Sequence, residues 1–128
     1  MKKKQVTALM VEPNKSPCVV ELKTDLDSLQ KAVSIGADYQ GLIEFVYLED
    51  NVSILCNEEG KLIGLEPNRR LGNDILCGVF YVVAEDDNGA LVSLSKEQQD
   101  RYAKRFEIPD SIDNTEIDNT IFVRFIGR

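Results

Sequence analysis

The residues best suited to hold a ligand lie in a short polar stretch in the middle of the chain, PNRRL at residues 67–71. An arginine guanidinium is planar and binds a carboxylate or a phosphate through two parallel hydrogen bonds, and an asparagine amide can add a further contact. Asn68, Arg69 and Arg70 supply these groups side by side in a chain whose formal net charge is −7. Their types and spacing predict a binding site for an anion.

The same arginines also have a structural interpretation. One of them could pair with an acid of a neighbouring turn and hold a loop in place, since ion pairs of this kind are common in proteins. The acids close in sequence are Glu58, Glu59 and Glu66. The residues alone leave both interpretations open.

Tyr39 and Tyr47 are the aromatic residues best suited to stack on the ring of a ligand. A tyrosine tolerates a half-exposed position because its hydroxyl stays hydrated while its ring is covered. We therefore expect Tyr39 and Tyr47 to complete the site formed by Asn68, Arg69 and Arg70. The ligand that suits this set is an anionic, nucleotide-like small molecule, bound without turnover.

Catalysis is not expected from this composition. The chain contains no histidine, which removes the most common general base and the most common metal ligand. Neither NEEG at residues 57–60 nor DDNG at residues 86–89 has the ligand spacing of a calcium loop. The sequence also lacks phosphate-binding glycine loops, zinc spacings and hydrolase motifs. We expect no enzyme activity, no cofactor and no metal site.

The three cysteines, Cys18, Cys56 and Cys77, each lie in an apolar stretch. An odd number of widely spaced cysteines with such neighbours is typical of buried thiols in a reducing compartment. We therefore expect three core thiols and a cytoplasmic location in a bacterial host. No stretch reaches the roughly 20 apolar residues that a membrane span requires, so no membrane association is expected.

The charge balance limits the choice of partner, with 22 acidic and 15 basic residues. Duplex nucleic acid requires a basic footprint and is not expected to bind. The acidic balance favours an alternative function, in which the protein is an inhibitor or adaptor of another protein, such as a host defence protein. One form of this alternative is mimicry of DNA charge against a DNA-binding enzyme.

The hydrophobic pattern predicts the element order β-β-α-β-β-β-β-β-α-β. Strands are indicated by apolar alternation between turn residues, and helices by capping residues in their first turns. Hairpin connections favour an α+β fold, with a mostly antiparallel sheet and two short helices packed on one face. The predicted strands cover residues 4–11, 18–23, 41–48, 52–56, 61–65, 75–84 and 90–94, and the predicted helices residues 25–35 and 95–106.

The chain has the length of one domain, which we place at residues 1–106. Within it, residues 66–74 are predicted to form a loop. Residues 107–128 form an acidic extension that ends in a further predicted strand, TIFVRFIGR, with apolar residues on both faces. Such a strand would be covered on both sides or pair with another chain, so the extension favours an inhibitor or adaptor function and a homo-oligomer.

The most distinctive stretch of the chain, Cys56 to Arg69, follows the pattern CNEEGKLxGLxPNR. With this stretch and four others, the chain resembles a family of small domains of unknown function found in Firmicutes, their phages and their conjugative elements. Because the family has no assigned activity, the resemblance implies a mobile-element origin and, by that association alone, a role in countering host defence. Sequestering a nucleotide-like defence signal would be such a role. The resemblance rests on five stretches: Val11 to Pro13, Leu29 to Val33, Cys56 to Arg69, Gly78 to Val83 and Leu91 to Phe106.

Overall fold

The computed structural model describes residues 4–113 and 115–117. Residues 115–117 are helical, and the other elements are eight strands and two helices. In chain order they are β1 (Gln5–Val11), β2 (Cys18–Lys23), α1 (Leu26–Ala32), β3 (Ile43–Glu49), β4 (Val52–Asn57), β5 (Pro67–Leu71), β6 (Asp74–Cys77), β7 (Phe80–Glu85), β8 (Leu91–Val92) and α2 (Lys96–Arg105).

The main sheet has the order β2-β1-β7-β4-β3, and β8 also pairs with β7. Every strand pair in it is antiparallel, and β5 and β6 form a separate antiparallel hairpin. The central strand is β7, whose residues 80–84 are all buried. The α+β class, the mostly antiparallel sheet and the two short helices are therefore confirmed.

The two helices cover opposite faces of the sheet, so the expectation that both pack on one face is wrong. Alternate residues of β7 point to opposite faces. Phe80 packs edge to face against Phe106 at the end of α2, with ring centroids 5.2 Å apart. Tyr81 lies on the other face, where its hydroxyl donates to the carbonyl of Ala32 in α1 at 3.0 Å. A central strand with apolar residues on both faces needs other elements packed against each face, and here α1 and α2 provide them.

Three expectations for the middle of the chain are wrong. Residues 61–65 form turns and no strand, since the Leu65 N–H donates to the Gly60 carbonyl at 3.0 Å. The predicted loop at residues 66–74 contains β5 and its tight connection to β6. The predicted strand 75–84 is divided between β6 and β7, because Gly78 has a φ of 83° that a regular strand does not allow.

The predicted helix starts are confirmed. The Asp25 side chain accepts from the Ser28 N–H and caps α1. Ser95 and Gln98 form a capping box at α2, in which each side chain accepts from the other's backbone N–H, at 3.1 and 2.8 Å. The predicted strand in residues 120–128 lies outside the described residues.

Candidate ligand-binding site

Asn68 and Arg69 are both fully buried, although they are neighbours in one strand. Neighbouring strand residues normally point to opposite faces. The register between β5 and β6 shifts between Pro67 and Arg69, which marks a β-bulge at this point. A bulge re-aims side chains locally, and here it accompanies the burial of two adjacent polar residues.

Arg69 uses all five of its N–H groups inside the protein. Its Nε donates to the Phe106 carbonyl at 3.1 Å, and one terminal nitrogen donates to the same carbonyl at 2.9 Å and to the Lys15 carbonyl at 2.6 Å. The other terminal nitrogen donates to the Asn68 carbonyl and to Asn68 Oδ1. A guanidinium has five N–H donors, so none remains for an external anion in this arrangement.

Asn68 is equally engaged. Its Nδ2 donates to the carbonyls of Val11 and Gly78, each at 2.8 Å, while its Oδ1 accepts from Arg69 at 2.7 Å. The pair thus ties β5 to the end of β1, the β1–β2 turn, the β6–β7 junction and the end of α2. These contacts hold five parts of the chain in fixed relation.

Arg70 points outward and binds the acidic extension. Its Nε and one terminal nitrogen donate to the two carboxylate oxygens of Glu116 at 2.6 and 2.8 Å. It also donates to the Ser111 carbonyl at 2.9 Å, and Asp110 lies 3.5 Å from the other terminal nitrogen. The Glu116 hydrogen bond raises the pKa of Arg70, and Arg70 in turn lowers the pKa of Glu116. The acids that pair with an arginine of PNRRL are therefore those of the extension.

Two of the segments that Asn68 and Arg69 hold, the β1–β2 turn and the β6–β7 junction, line an open cleft of about 430 Å³, which we call the glycine cleft. Its volume lies in the range of small-molecule sites. Four segments form its walls: the β1–β2 turn (Glu12, Pro13, Lys15), the loop after α1 (Ile35, Gly36), the turn before β5 (Gly64–Glu66) and the β6–β7 junction (Gly78, Val79).

Three of the lining residues are glycines with left-handed backbones, at φ values of 87°, 77° and 83° for Gly36, Gly64 and Gly78. Side chains other than glycine are strained in this region. At Gly78 there is a second reason, since an added Cβ would lie 2.7 Å from Leu65 Cδ1. The close approach of the β6–β7 junction to Leu65 therefore depends on the missing side chain at Gly78, whereas at Gly36 and Gly64 glycine is favoured by the backbone conformation alone.

The chemistry of the glycine cleft combines an apolar surface with a few charges. Ile35 lines it and is 61% exposed, and Leu65 and Val79 line it as buried residues. Lys15 lies 3.3 Å from the Glu12 carboxylate, so these two charges largely offset each other. Its other charged lining residue is Glu66, whose carboxylate accepts from Asn14 at 2.7 Å.

Tyr39 and Tyr47 are not brought together with the arginines. Tyr39 lies in the loop between α1 and β3 and is 55% exposed, and Tyr47 lies in β3 and is 69% exposed. The Tyr47 hydroxyl donates to Asp50 at 2.9 Å. The predicted five-residue site stays a prediction, but in this structure its members contact different parts of the fold.

The three cysteines are free, and they differ in exposure. Cys56 and Cys77 are buried, whereas Cys18 is exposed because it begins the outer strand β2, so the expectation of three core thiols is wrong for Cys18. Burial raises the pKa of the Cys77 thiol to about 11, which keeps it protonated near neutral pH. Within the described ranges, no three acidic or cysteine side chains are grouped as a metal site.

Taken together, the fold and site define a small α+β domain with an open cleft beside a buried arginine. The chain belongs to the DUF3846 family, a domain of unknown function, which matches residues 6–107. The match includes every residue that lines the glycine cleft.

No curated protein and no solved structure matches the chain. In the described residues, no helix is both long and apolar enough to cross a membrane.

The sequence indicates PNRRL as a special segment but does not indicate the cleft that this segment supports. The signal lay in Gly36, Gly64 and Gly78, each of which is adjacent to an apolar residue. Their left-handed backbones are a property of the fold, and a glycine in a sequence does not reveal whether its φ is positive. Convergence of four distant segments was likewise not readable from spacing.

Proposed function

We propose that the protein is a non-catalytic binding protein whose ligand enters the glycine cleft. The observation that carries this proposal is the convergence of three left-handed glycines from separate segments on one open cleft of about 430 Å³. Close approach of a backbone to a ligand is a common use of glycine. Asn68 and Arg69 serve this function as positioning residues, because they hold the Lys15 carbonyl and the Gly78 carbonyl.

The ligand class that we propose is nucleotide-like, with its ring against Ile35 and the adjoining apolar wall. The lining charges are two carboxylates and one ammonium, and they do not favour dense negative charge. A ring and a sugar therefore suit the cleft better than a row of phosphates. Sequestration of such a molecule would fit a protein of phage or mobile-element origin that counters host defence, and this part of the proposal rests on the sequence resemblance.

Calorimetric titration of the full chain tests the proposal. The probes are cyclic dinucleotides, ADP-ribose isomers and the matching uncharged nucleosides, so that ring and phosphate contributions are separated. We expect at least one probe to bind with a Kd in the micromolar range, since such clefts bury most of a small ligand. Absence of heat with every probe at high micromolar protein would count against the proposal.

A pair of variants ties any binding to the glycine cleft. Ile35→Glu places a charge on the cleft wall, and Leu26→Glu places the same charge at the start of α1, where it does not line the cleft. Both side chains are 61% exposed, so the two changes are matched in burial as well as in charge. We expect Ile35→Glu to weaken binding by about tenfold or more and Leu26→Glu to leave it unchanged. Equal effects of the two variants would place the ligand elsewhere.

A further inference from the structure

The outer strand β3 presents an open edge at one side of the main sheet. Among the described residues it pairs only with β4, so no described strand pairs with its other edge. It runs for seven residues and contains no lysine or proline, and its register shifts between Tyr47 and Glu49, so the regular part of the edge is Ile43–Tyr47. Natural sheets commonly protect such edges with those residues, because an open edge can pair with a further strand.

Two aromatic side chains stand on one face of this edge. Phe45 is 47% exposed and Tyr47 is 69% exposed, and their spacing places them on the same face of β3. Leu42, just before the strand, is 57% exposed. Exposed aromatic and apolar residues that adjoin an open edge are typical of surfaces that bind extended segments, in which backbone hydrogen bonds supply affinity and side chains supply specificity.

Charge indicates what kind of segment would bind there. At its C-terminal end β3 adjoins a shallow hollow of about 450 Å³, which we call the acidic hollow. No basic residue lines it. Its main lining residues are Tyr47 of β3, Asp50 and Asn51 of the β3–β4 turn, Glu85 of β7, and Asp86 and Asp87 of the β7–β8 turn.

We propose that the β3 edge docks an extended, basic segment of another protein, which adds a strand to the sheet and places a lysine or arginine in the acidic hollow. This goes beyond the ligand of the glycine cleft, since the two sites share no lining residue. If the protein is an adaptor, its partner would therefore carry a basic, extended segment. A second copy of the chain is a poorer occupant, because pairing two β3 edges brings together Glu44 and Glu49 from both copies and no cation from either strand.

The chain itself contains a stretch of similar chemistry near its C-terminus. Residues 118–128 include Arg124 and Arg128 among apolar residues. The test must therefore separate an external partner from this segment and from a second copy.

The test uses the full chain and two synthetic peptides, one alternating valine with lysine and one alternating valine with glutamate. Fluorescence anisotropy at low salt is expected to show binding of the lysine peptide and none of the glutamate peptide. Raising the salt to about 0.5 M is expected to weaken binding by roughly fivefold or more, because exposed charges are screened. Equal binding of both peptides, or no binding of the lysine peptide at millimolar concentration, would overturn the proposal.

Two matched variants locate the binding. Asp50→Asn with Asp87→Asn removes two charges from the acidic hollow, and Glu58→Gln with Glu59→Gln removes two exposed charges from the turn after β4. The first pair keeps side-chain oxygens that can accept from Tyr47 and Asn51. We expect it to weaken the lysine peptide by about tenfold, while the second pair changes affinity by less than about twofold. Equal effects would show general charge attraction instead of docking.

Backbone NMR places the peptide on the molecule. Binding is expected to shift the amide signals of Glu44–Leu48 in β3, and shifts confined to other elements would overturn the proposal. If the peptide binds only after removal of residues 118–128, that segment is the occupant and an external partner is excluded. If native mass spectrometry shows a dimer that the Asp50→Asn, Asp87→Asn variant abolishes, the occupant is a second copy.

Discussion

Arg69 carries its charge in the interior, and its hydrogen-bond partners are carbonyl and amide oxygens. Burial lowers its pKa, while the charge of Asp110 acts in the opposite direction. A buried cation is costly unless its hydrogen bonds are satisfied, and here all five donors have acceptors. The carbonyl of Phe106, at the end of α2, is a favourable partner because helix C-termini carry partial negative charge.

Arg69→Met tests whether this arginine holds the fold together. Methionine fills much of the same volume but leaves the carbonyls of Phe106 and Lys15 without their donor. We expect the free energy of unfolding to fall by ~3 kcal/mol or more, because buried acceptors would be left unpaired. Urea titration followed by circular dichroism measures the change.

Arg70→Met is the matched control for that variant, because it removes the neighbouring arginine of the same strand. The Arg70 side chain is 42% exposed and its ion pairs lie at the surface. Such pairs contribute about 1 kcal/mol or less. A similar loss of stability in both variants would show that Arg69 has no special structural role.

The residue types of PNRRL predict strong hydrogen bonding, but they do not predict which groups the side chains bind. An arginine pair indicates partners that are rich in oxygen, and both arginines have them. Besides its neighbour Asn68, Arg69 binds carbonyls that are distant in sequence, from Lys15 and Phe106, and carbonyls have no signature in a sequence. The Arg70 partner Glu116 is an acid, but it lies in the extension and not in the turns nearest the arginine.

The cysteines differ in exposure, and this difference predicts that they also differ in reactivity. Cys18 is exposed, whereas the pKa of Cys77 is raised to about 11 by burial and Cys56 is buried as well. Because the thiolate is the reactive form, we expect one fast-reacting thiol in the native protein at pH 8. Titration with a disulfide reagent such as Ellman's reagent, before and after unfolding in urea, checks this. Cys18→Ser should remove the fast phase, and fast reaction of two or more thiols in the native protein would contradict the expectation.

At the scale of elements, the sequence predicts the features that depend only on neighbouring residues, such as helix caps. The capping box at Ser95 and the cap at Asp25 were read correctly, because each depends on residues close in sequence. The β5–β6 hairpin was not, because Pro67 and two arginines resemble a loop in composition. That hairpin forms around the buried contacts of Asn68 and Arg69, which involve β1, β6–β7 and α2.

Gly78 separates β6 from β7. A side chain at this position would have two effects, backbone strain and a collision with Leu65, and the two can be measured separately. Gly78 and Gly89 both have a φ of 83°, so alanine at either position is strained by its backbone. Of these two positions, Gly78 alone has a neighbour close to an added Cβ, which would lie 2.7 Å from Leu65 Cδ1. At Gly89 nothing lies within 4 Å.

We expect Gly89→Ala to cost ~1 kcal/mol of stability from backbone strain. Gly78→Ala adds displacement of Leu65 and should cost ~1–3 kcal/mol more. Thermal unfolding of the two variants compares them directly. Equal costs would mean that Leu65 moves aside freely and that the cleft wall is not tightly packed.

At the scale of the whole molecule, the sheet needs covers on both faces, and the β5–β6 hairpin needs one as well. Leu65, Ile75 and Cys77 form a third buried cluster, against which Ile112 and Ile117 of the extension pack. The family match ends at residue 107, so this cover comes from beyond the matched range. Leu65 also lines the glycine cleft, and the extension thus supports one of its walls.

Attachment of the extension should depend on pH through Glu116. Its pKa lies below the ordinary value of 4.5, chiefly because its carboxylate accepts hydrogen bonds from Arg70. A carboxylate with a lowered folded-state pKa contributes stability that is fully present above its ordinary value and is lost as the pH falls through the lowered one. We therefore expect residues 107–117 to stay attached at pH 7 and to detach progressively below pH 4.5.

Amide hydrogen exchange between pH 7 and pH 3, corrected for intrinsic exchange rates, measures this detachment. Protection near Ile112 and Glu116 should fall in the acid range, while protection in β7 persists, because β7 lies at the centre of the sheet. Glu116→Gln keeps an oxygen that can accept from Arg70 but removes the titrating charge, so its extension should be less protected at pH 7 and respond less to acid. If the variant and the natural chain lose protection in parallel, the pH dependence arises from another group, and Asp110 beside Arg70 becomes the next to replace.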